Sequence, residues 1–286
     1  MRLTVPRESL LLEAVRTLVP GAANRTLRQM LEHGRVRING AVVRVARQRV
    51  LPGDVIEIVA HGESRIPAHG LKIVYEDAHL LLVEKPVGLL TVATPHETER
   101  TVFAALRSHL RKQNPRQRLF IVHRLDKFAS GVLVFAKSEQ VQEELRALFR
   151  SHDIVRRYWA IVEGRVTRDR GTIRSYLAEN RAGRMHSTQD PDTGKASVTH
   201  YRVLRRFPQF TSLEISLETG RKNQIRAHLA EMGHPIAGDR AYGCTSNPLG
   251  RLGLHAFLLG FRHPVLGSAV EHRTAVPPEF ARYLPE

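Results

Sequence analysis

The sequence predicts an α+β protein: a small N-terminal α/β unit, then a larger domain on a mixed, largely antiparallel sheet. Three observations predict it. Short apolar runs with a period of two outnumber runs with helical spacing. Most neighbouring runs are joined by stretches of hairpin length, which favours antiparallel pairing. A polar stretch, HGESRIPAHG, separates the two parts and carries glycine near both ends. The expected organisation is residues 1–60, a linker over 61–70, and a second domain over 71–286.

The elements follow in chain order. Leu10, Leu11, Ala14, Val15 and Leu18 share one helical face, and Pro20-Gly21 stops that helix. Asn24 can cap a second helix from Arg25 to His33, with Leu27, Met30 and Leu31 inward and Gly34 at its end. Val36 and Ile38 alternate with arginines, and Asn39-Gly40 is a hairpin turn. A last strand of this unit spans Val55 to Val59. The larger domain opens with two short strands around a turn at Glu76-Asp77, ending at Pro86. Helices are expected from Thr101 to Leu110, after the cap Ser138, and from Gln224 to Met232, the last closed by Gly233 and Pro235. Strands are expected at Leu119–Val122, Val132–Ala136, Tyr158–Val162, Val198–Val203 and Leu213–Thr219.

Composition bounds the function. Of 286 residues, 42% are apolar, enough for a real core, and the formal net charge is +16. Solubility needs a net charge of only about 2–8, so the excess points to a polyanionic partner. The first 60 residues hold ten arginines and five acidic residues. Arg25, Arg28, Arg35, Arg37 and Arg44 cluster on the second helix and the hairpin after it. Guanidinium forks suit phosphate, and an ordinary solvated face is the bland alternative. A single cysteine, Cys244, excludes a disulfide within the chain. No apolar run approaches the length of a membrane span, and Glu13 and Arg16 interrupt the first one, so no signal peptide is expected. The expected setting is the cytoplasm, without a membrane partner.

Three places can carry chemistry. Asp126 follows His123 and Arg124 in a loop between two apolar strands, where a charged side chain has rigid support. A turn or capping aspartate is the structural alternative. Arg226 lies in the first turn of a helix, where a cation opposes the macrodipole and needs an offset such as a carboxylate. Tyr158 shares one face of its strand with Ala160, Trp159 and Ile161 the other, so it is a core tyrosine or an aromatic platform for a base. The histidines lack cysteine or carboxylate at ligand spacing, and no Walker loop, nucleophile elbow or dinucleotide fingerprint is present. No metal and no cofactor are therefore expected, only chemistry that side chains can perform.

Together these stretches carry a resemblance. HRLDKFASGVLVFAK, YWAIVEG and TGRKNQIRAHLAEMGHPIAGDRAYG resemble the RluA family of RNA pseudouridine synthases. VYEDAHLLLVEKPVGLLTV and RLGLHAFLLGFRHP agree in order, so the likeness covers about residues 71–270. A sister family carries glycine where this chain has His123. RTLRQMLEHGRVRINGAVV, with LPGDVIEI after it, is similar to the S-four-like RNA-binding module. The chain departs from the family pattern at Phe128-Ala129, where a threonine usually precedes Ser130-Gly131, and at Asn223, often a histidine.

The resemblance implies isomerisation of uridine in structured RNA. Ribosomal RNA is the first expectation and transfer RNA the second, with a monomeric enzyme. Asp126 would act as nucleophile or as proton acceptor, Arg226 would hold its charge, and Tyr158 would stack on the flipped base or assist proton removal. Arg124 would meet phosphate or wedge into the vacated stack. Two rival readings are a non-catalytic RNA-binding protein and a carboxylate glycosidase; the latter would normally want a second acid beside Asp126.

Overall fold

Leu11, Val15, Leu27, Leu31, Val36, Val50 and Ile56 are fully or almost fully buried and make one small core. The structure is a computed structural model that describes residues 1–32, 35–43, 45–58, 70–95 and 97–285, with backbone alone for Arg25, Gln29, Glu32 and Val42. The chain forms two units, Met1–Pro67 and Ala68–Glu286. Most of the expected linker lies outside the described residues, as do Gly34 and Arg44.

In the first unit, strands β1 (Arg2–Thr4) and β2 (Ser9–Leu10) precede helices α1 (Leu11–Leu18) and α2 (Asn24–Glu32). Strands β3 (Val36–Ile38), β4 (Ala41–Val42), β5 (Arg49–Val50) and β6 (Val55–Ile58) follow. The four-stranded sheet runs β1-β6-β3-β4, and β2 pairs with β5. Asn39 and Gly40 both have positive φ, 50° and 82°, as the two-residue turn between β3 and β4 demands. The Asn39 amide also donates to Asp54 and accepts the Val55 N–H, each at 2.9 Å, which ties that turn to β6. Helix α2 starts at Asn24 itself, whose side-chain amide oxygen accepts from Arg16 instead of capping the helix.

The second unit is one large sheet with helices on it. Its strands are β7 (Lys72–Glu76), β8 (Leu80–Lys85), β9 (Phe120–Ile121), β10 (Ser130–Ala136), β11 (Ile154–Glu163), β12 (Arg170–Glu179) and β13 (Met185–Thr188). They continue with β14 (Lys195–Arg206), β15 (Phe210–Leu217), β16 (Leu254–Arg262) and β17 (Ala269–Arg273). The order is β13-β12-β14-β15-β11-β16-β10-β8-β7, with β17 on β16 and β9 on β10. The helices are α3 (Val102–Gln113), α4 (Glu139–Ser151) and α5 (Gln224–Glu231). Thr101 and Ser138 cap α3 and α4 by accepting the N–H of Ala104 and Val141.

Every pairing of these strands is antiparallel except β10 with β16. That parallel contact sits just after the aspartate loop, and it requires glycine. Gly131 has φ +122°, and a Cβ there would lie 2.1 Å from the Ala256 carbonyl oxygen. The strand β12 was not foreseen. Its residues alternate between exposed and half-exposed, with Leu177 the one buried side chain, so it shows little apolar rhythm. On β11 the faces separate as alternation requires. Trp159 stacks on Phe257 at 4.2 Å and joins the core with Ile161 and Phe280, while Tyr158 turns the other way.

Candidate active site

The loop between β9 and β10 is pinned on both sides of Asp126. Upstream, the buried Thr91 hydroxyl donates to the Leu125 carbonyl (2.7 Å) and accepts the Leu125 N–H (3.2 Å). Downstream, Lys85 reaches the carbonyls of Lys127 (3.0 Å), Pro86 (2.9 Å) and Leu89 (2.7 Å). Burial drives the Lys85 ammonium down to about 7 against the attraction of Asp126. Three carbonyl acceptors meanwhile complete the donor set of its charged form. His123 accepts the Val134 N–H through Nε2 at 3.1 Å, and burial pushes its imidazole down to about 3, so it is neutral and uses Nδ1 for its proton. Ser130 bridges Arg251 and the buried His255. Ala129 supplies no hydroxyl to this framework; Thr91 supplies one from another strand-end loop.

These restraints aim the Asp126 carboxylate into a cleft of ≈ 660 Å³. Arg124, Asp126, Tyr158 and Arg226 all line it, so the structure brings together the four residues singled out in this domain. Arg226 Nη1 stands 3.4 Å from Asp126. Its stronger partner is Asp239, which takes Nε at 2.7 Å and Nη2 at 2.8 Å in a bidentate pair. Asp239 is 2% exposed and Asp126 20%, so the deeply buried counterion is Asp239. The offset expected for a cation in the first turn of α5 is thus supplied twice. The Tyr242 ring packs against the same guanidinium at 4.8 Å. Burial opposes the charge of Arg226, but the hydrogen bonds and attraction of Asp239, then Asp126, hold it above its ordinary value.

Tyr158 is 7% exposed. Burial raises its phenol above its ordinary value, with Arg156 opposing and Asp126 adding to the shift. It is therefore a protonated phenol at neutral pH. Arg124 is exposed at the rim and has no hydrogen-bond or ion-pair partner among the described residues. In the first unit, Arg28 is exposed on α2, and Arg35 and Arg37 are half-buried before and within β3. Arg25 lies on α2. The site residues that sequence reasoning passed over are Thr91, Lys85, Arg156, Asp239 and Tyr242. Asp239 had a usable signal: a cation in a helix's first turn needs an acid, and this is the one acidic residue between α5 and Leu249.

Fold and site define the class: a sheet on which a loop, a helix and a strand bring a carboxylate, a guanidinium and a buried tyrosine into one basic cleft. The model of the RNA pseudouridylate synthase family matches residues 79–231, and that of the S4 domain matches residues 25–56. The chain is 34% identical to the ribosomal large subunit pseudouridine synthase D of Pasteurella multocida, over 94% of this chain and 88% of that one. It is 35% identical to its Vibrio cholerae namesake (93% and 87%) and 35% to an uncharacterized RNA pseudouridine synthase, YlyB, of Bacillus subtilis (90% and 87%). The solved structure of human RNA pseudouridylate synthase domain containing 1 superposes with a TM-score of 0.58 at 27% identity, over 73% of this chain and 85% of that chain. The chain belongs to the RluA family of RNA pseudouridine synthases, and it is an isomerase that acts on RNA.

Proposed function

We propose that this enzyme converts uridine to pseudouridine in the RNA of the large ribosomal subunit, with Asp126 as the reacting carboxylate. The observation that carries the assignment is the aim of Asp126 into the cleft, with its backbone pinned by Thr91 and Lys85 and its charge met by Arg226. The names of the relatives favour ribosomal over transfer RNA.

The reaction breaks the bond between uracil N1 and ribose C1′ and forms one from C5 to C1′. The proton on C5 leaves and N1 gains one, so nothing is consumed and no electron carrier is needed. Asp126 serves this either as a nucleophile at the sugar or base, or by removing a sugar proton to give a glycal. Both routes need an ionised, immobile carboxylate, and the Arg226 guanidinium stands 3.4 Å from it. Tyr158 forms the wall against which the flipped uracil stacks. Its raised phenol makes it a platform and hydrogen-bond partner rather than a ready base at neutral pH. Arg124, free at the rim, enters the space the uridine leaves or meets its phosphate. The chain acts as a monomer in the cytoplasm.

The N-terminal arginines grip phosphate and leave the chemical step alone. Each phosphate contact steepens the dependence of log affinity on log salt by about 0.7–0.9. Arg28→Gln with Arg37→Gln therefore flattens the slope by up to about 1.4–1.8, while the single-turnover rate at saturating enzyme stays close to wild type. An unchanged slope would remove these arginines from the RNA interface. The main test compares pseudouridine maps of RNA from cells with and without the gene. Loss of a modification in large-subunit RNA is expected. Loss confined to transfer RNA would replace the proposed substrate, and an unchanged map would refute the activity in vivo.

A further inference from the structure

The cleft holds a buried guanidinium whose charge no carboxylate among the described residues neutralises. Arg156 is 8% exposed and lies on β11 two residues before Tyr158, and both side chains line the cleft. Its Nη2 donates to the carbonyls of Leu217 and Glu218, each at 3.2 Å, and its planar group lies 5.0 Å from the Phe149 ring. Its Nε is buried without a partner. Nη1 makes no hydrogen bond among the described residues and stands beside Gly220 on the cleft wall, where even a Cβ would come within 3.0 Å of it. No carboxylate pairs with Arg156 among the described residues. Among the other cations of the cleft lining, Arg226, Arg150 and Lys222 pair with Asp239, Glu143 and Glu179, whereas Arg124, Arg146 and Arg221 are exposed to solvent.

An unpaired buried cation is costly to keep. A substrate that brings its own anion removes that cost. We propose that the Nη1 edge of Arg156 receives a backbone phosphate adjoining the uridine that enters the cleft, making it a positioning residue for the target nucleotide. This rests on the reading of the site as the place where RNA uridine is isomerised. Two residues along a strand span about 6.6 Å. With the base against Tyr158, Arg156 is thus placed at the reach of that nucleotide's own ribose-phosphate rather than of a distant one. The two carbonyl bonds and Phe149 hold the guanidinium plane, and the absence of a side chain at Gly220 keeps its free edge open to the cleft.

Two measurements on the full chain separate the anion seat from its role in the reaction. In the first, inorganic phosphate is titrated while the Arg156 Nε–H resonance is followed by NMR, assigned by its loss in Arg156→Gln. A saturable shift is expected. No shift at phosphate concentrations that move exposed arginine signals would overturn the seat, whatever the enzyme modifies. In the second, RNA fragments around the mapped uridine carry a neutral methylphosphonate on either side of it. At one of the two linkages the wild type should lose about ten-fold or more in affinity, with its rate at saturation within a few-fold. Arg156→Gln should bind normal RNA that much more weakly and be indifferent to the replacement. Arg156→Lys, which keeps the charge but loses the fork, should show a reduced sensitivity, and it carries the comparison if the Gln variant does not fold. A variant as sensitive as wild type, or a wild type indifferent at both linkages, would overturn the link to the target nucleotide. Wild-type protein that isomerises no uridine yet gives the phosphate shift would refute the parent reading and leave the anion seat standing.

Discussion

Asp126→Asn is expected to abolish pseudouridine formation while RNA affinity stays within a few-fold of wild type. The substitution keeps the size and one carbonyl oxygen and removes the charge. The side chain is 20% exposed and, among the described residues, its polar contact is one guanidinium nitrogen at 3.4 Å, so the fold does not depend on it. Affinity for RNA comes mainly from phosphate contacts spread over the surface, which the change leaves in place. The neutral amide can neither attack carbon nor accept a sugar proton. Asp126→Glu should fail nearly as completely, because one methylene displaces the oxygens within a loop pinned by Thr91 and Lys85. Direct counting of pseudouridine in a defined RNA, with an affinity measurement beside it, checks both. Turnover by pure Asp126→Asn would take Asp126 out of the reaction.

Arg226→Ala should lose both stability and turnover, and the stability loss should come through Asp239. Removing the guanidinium leaves a carboxylate that is 2% exposed and has lost two hydrogen bonds. Stranding such a charge costs about 3–5 kcal/mol, which in a domain of this size lowers the melting temperature by about 6–20 °C. The exposure of Asp126 makes its own share of that loss small. Arg226→Ala combined with Asp239→Ala removes the stranded charge and should recover much of the melting temperature. Turnover should not return, since Asp126 would still lack its cation. A single Arg226→Ala variant that melts with wild type would show that the pair carries no structural load. A double variant that regains turnover would show that Arg226 acts only through the fold.

Asp126 was legible because the pattern that marks its loop is local: an apolar run, a short polar loop, a glycine and a second apolar run. The capping serine of α4 and the Asn39-Gly40 turn were legible for the same reason, each being a contact within three or four residues. Alternation on β11 correctly sent Tyr158 and Trp159 to opposite faces. The need of Arg226 for a carboxylate was legible from its place in a helix's first turn.

Which carboxylate answers that need was decided by tertiary structure. The chain turn after α5 carries Asp239 under the guanidinium, whereas Asp126 approaches from a hundred residues away. The same holds for Thr91 on Leu125, 34 residues apart, and for Arg156 on the Leu217 carbonyl, 61 apart. The sequence by itself determined the helices, the strands with a clear apolar period, the loop that bears Asp126 and the basic character of the partner surface, because propensity, period and turn chemistry act between near neighbours. The pairing of buried charges, the pinning of the loop and the unneutralised guanidinium of Arg156 arose only when β10 met β16 and α5 packed on the sheet. Desolvation and hydrogen-bond geometry, which set the energy of each of these groups, are properties of that packing and not of the order of residues along the chain.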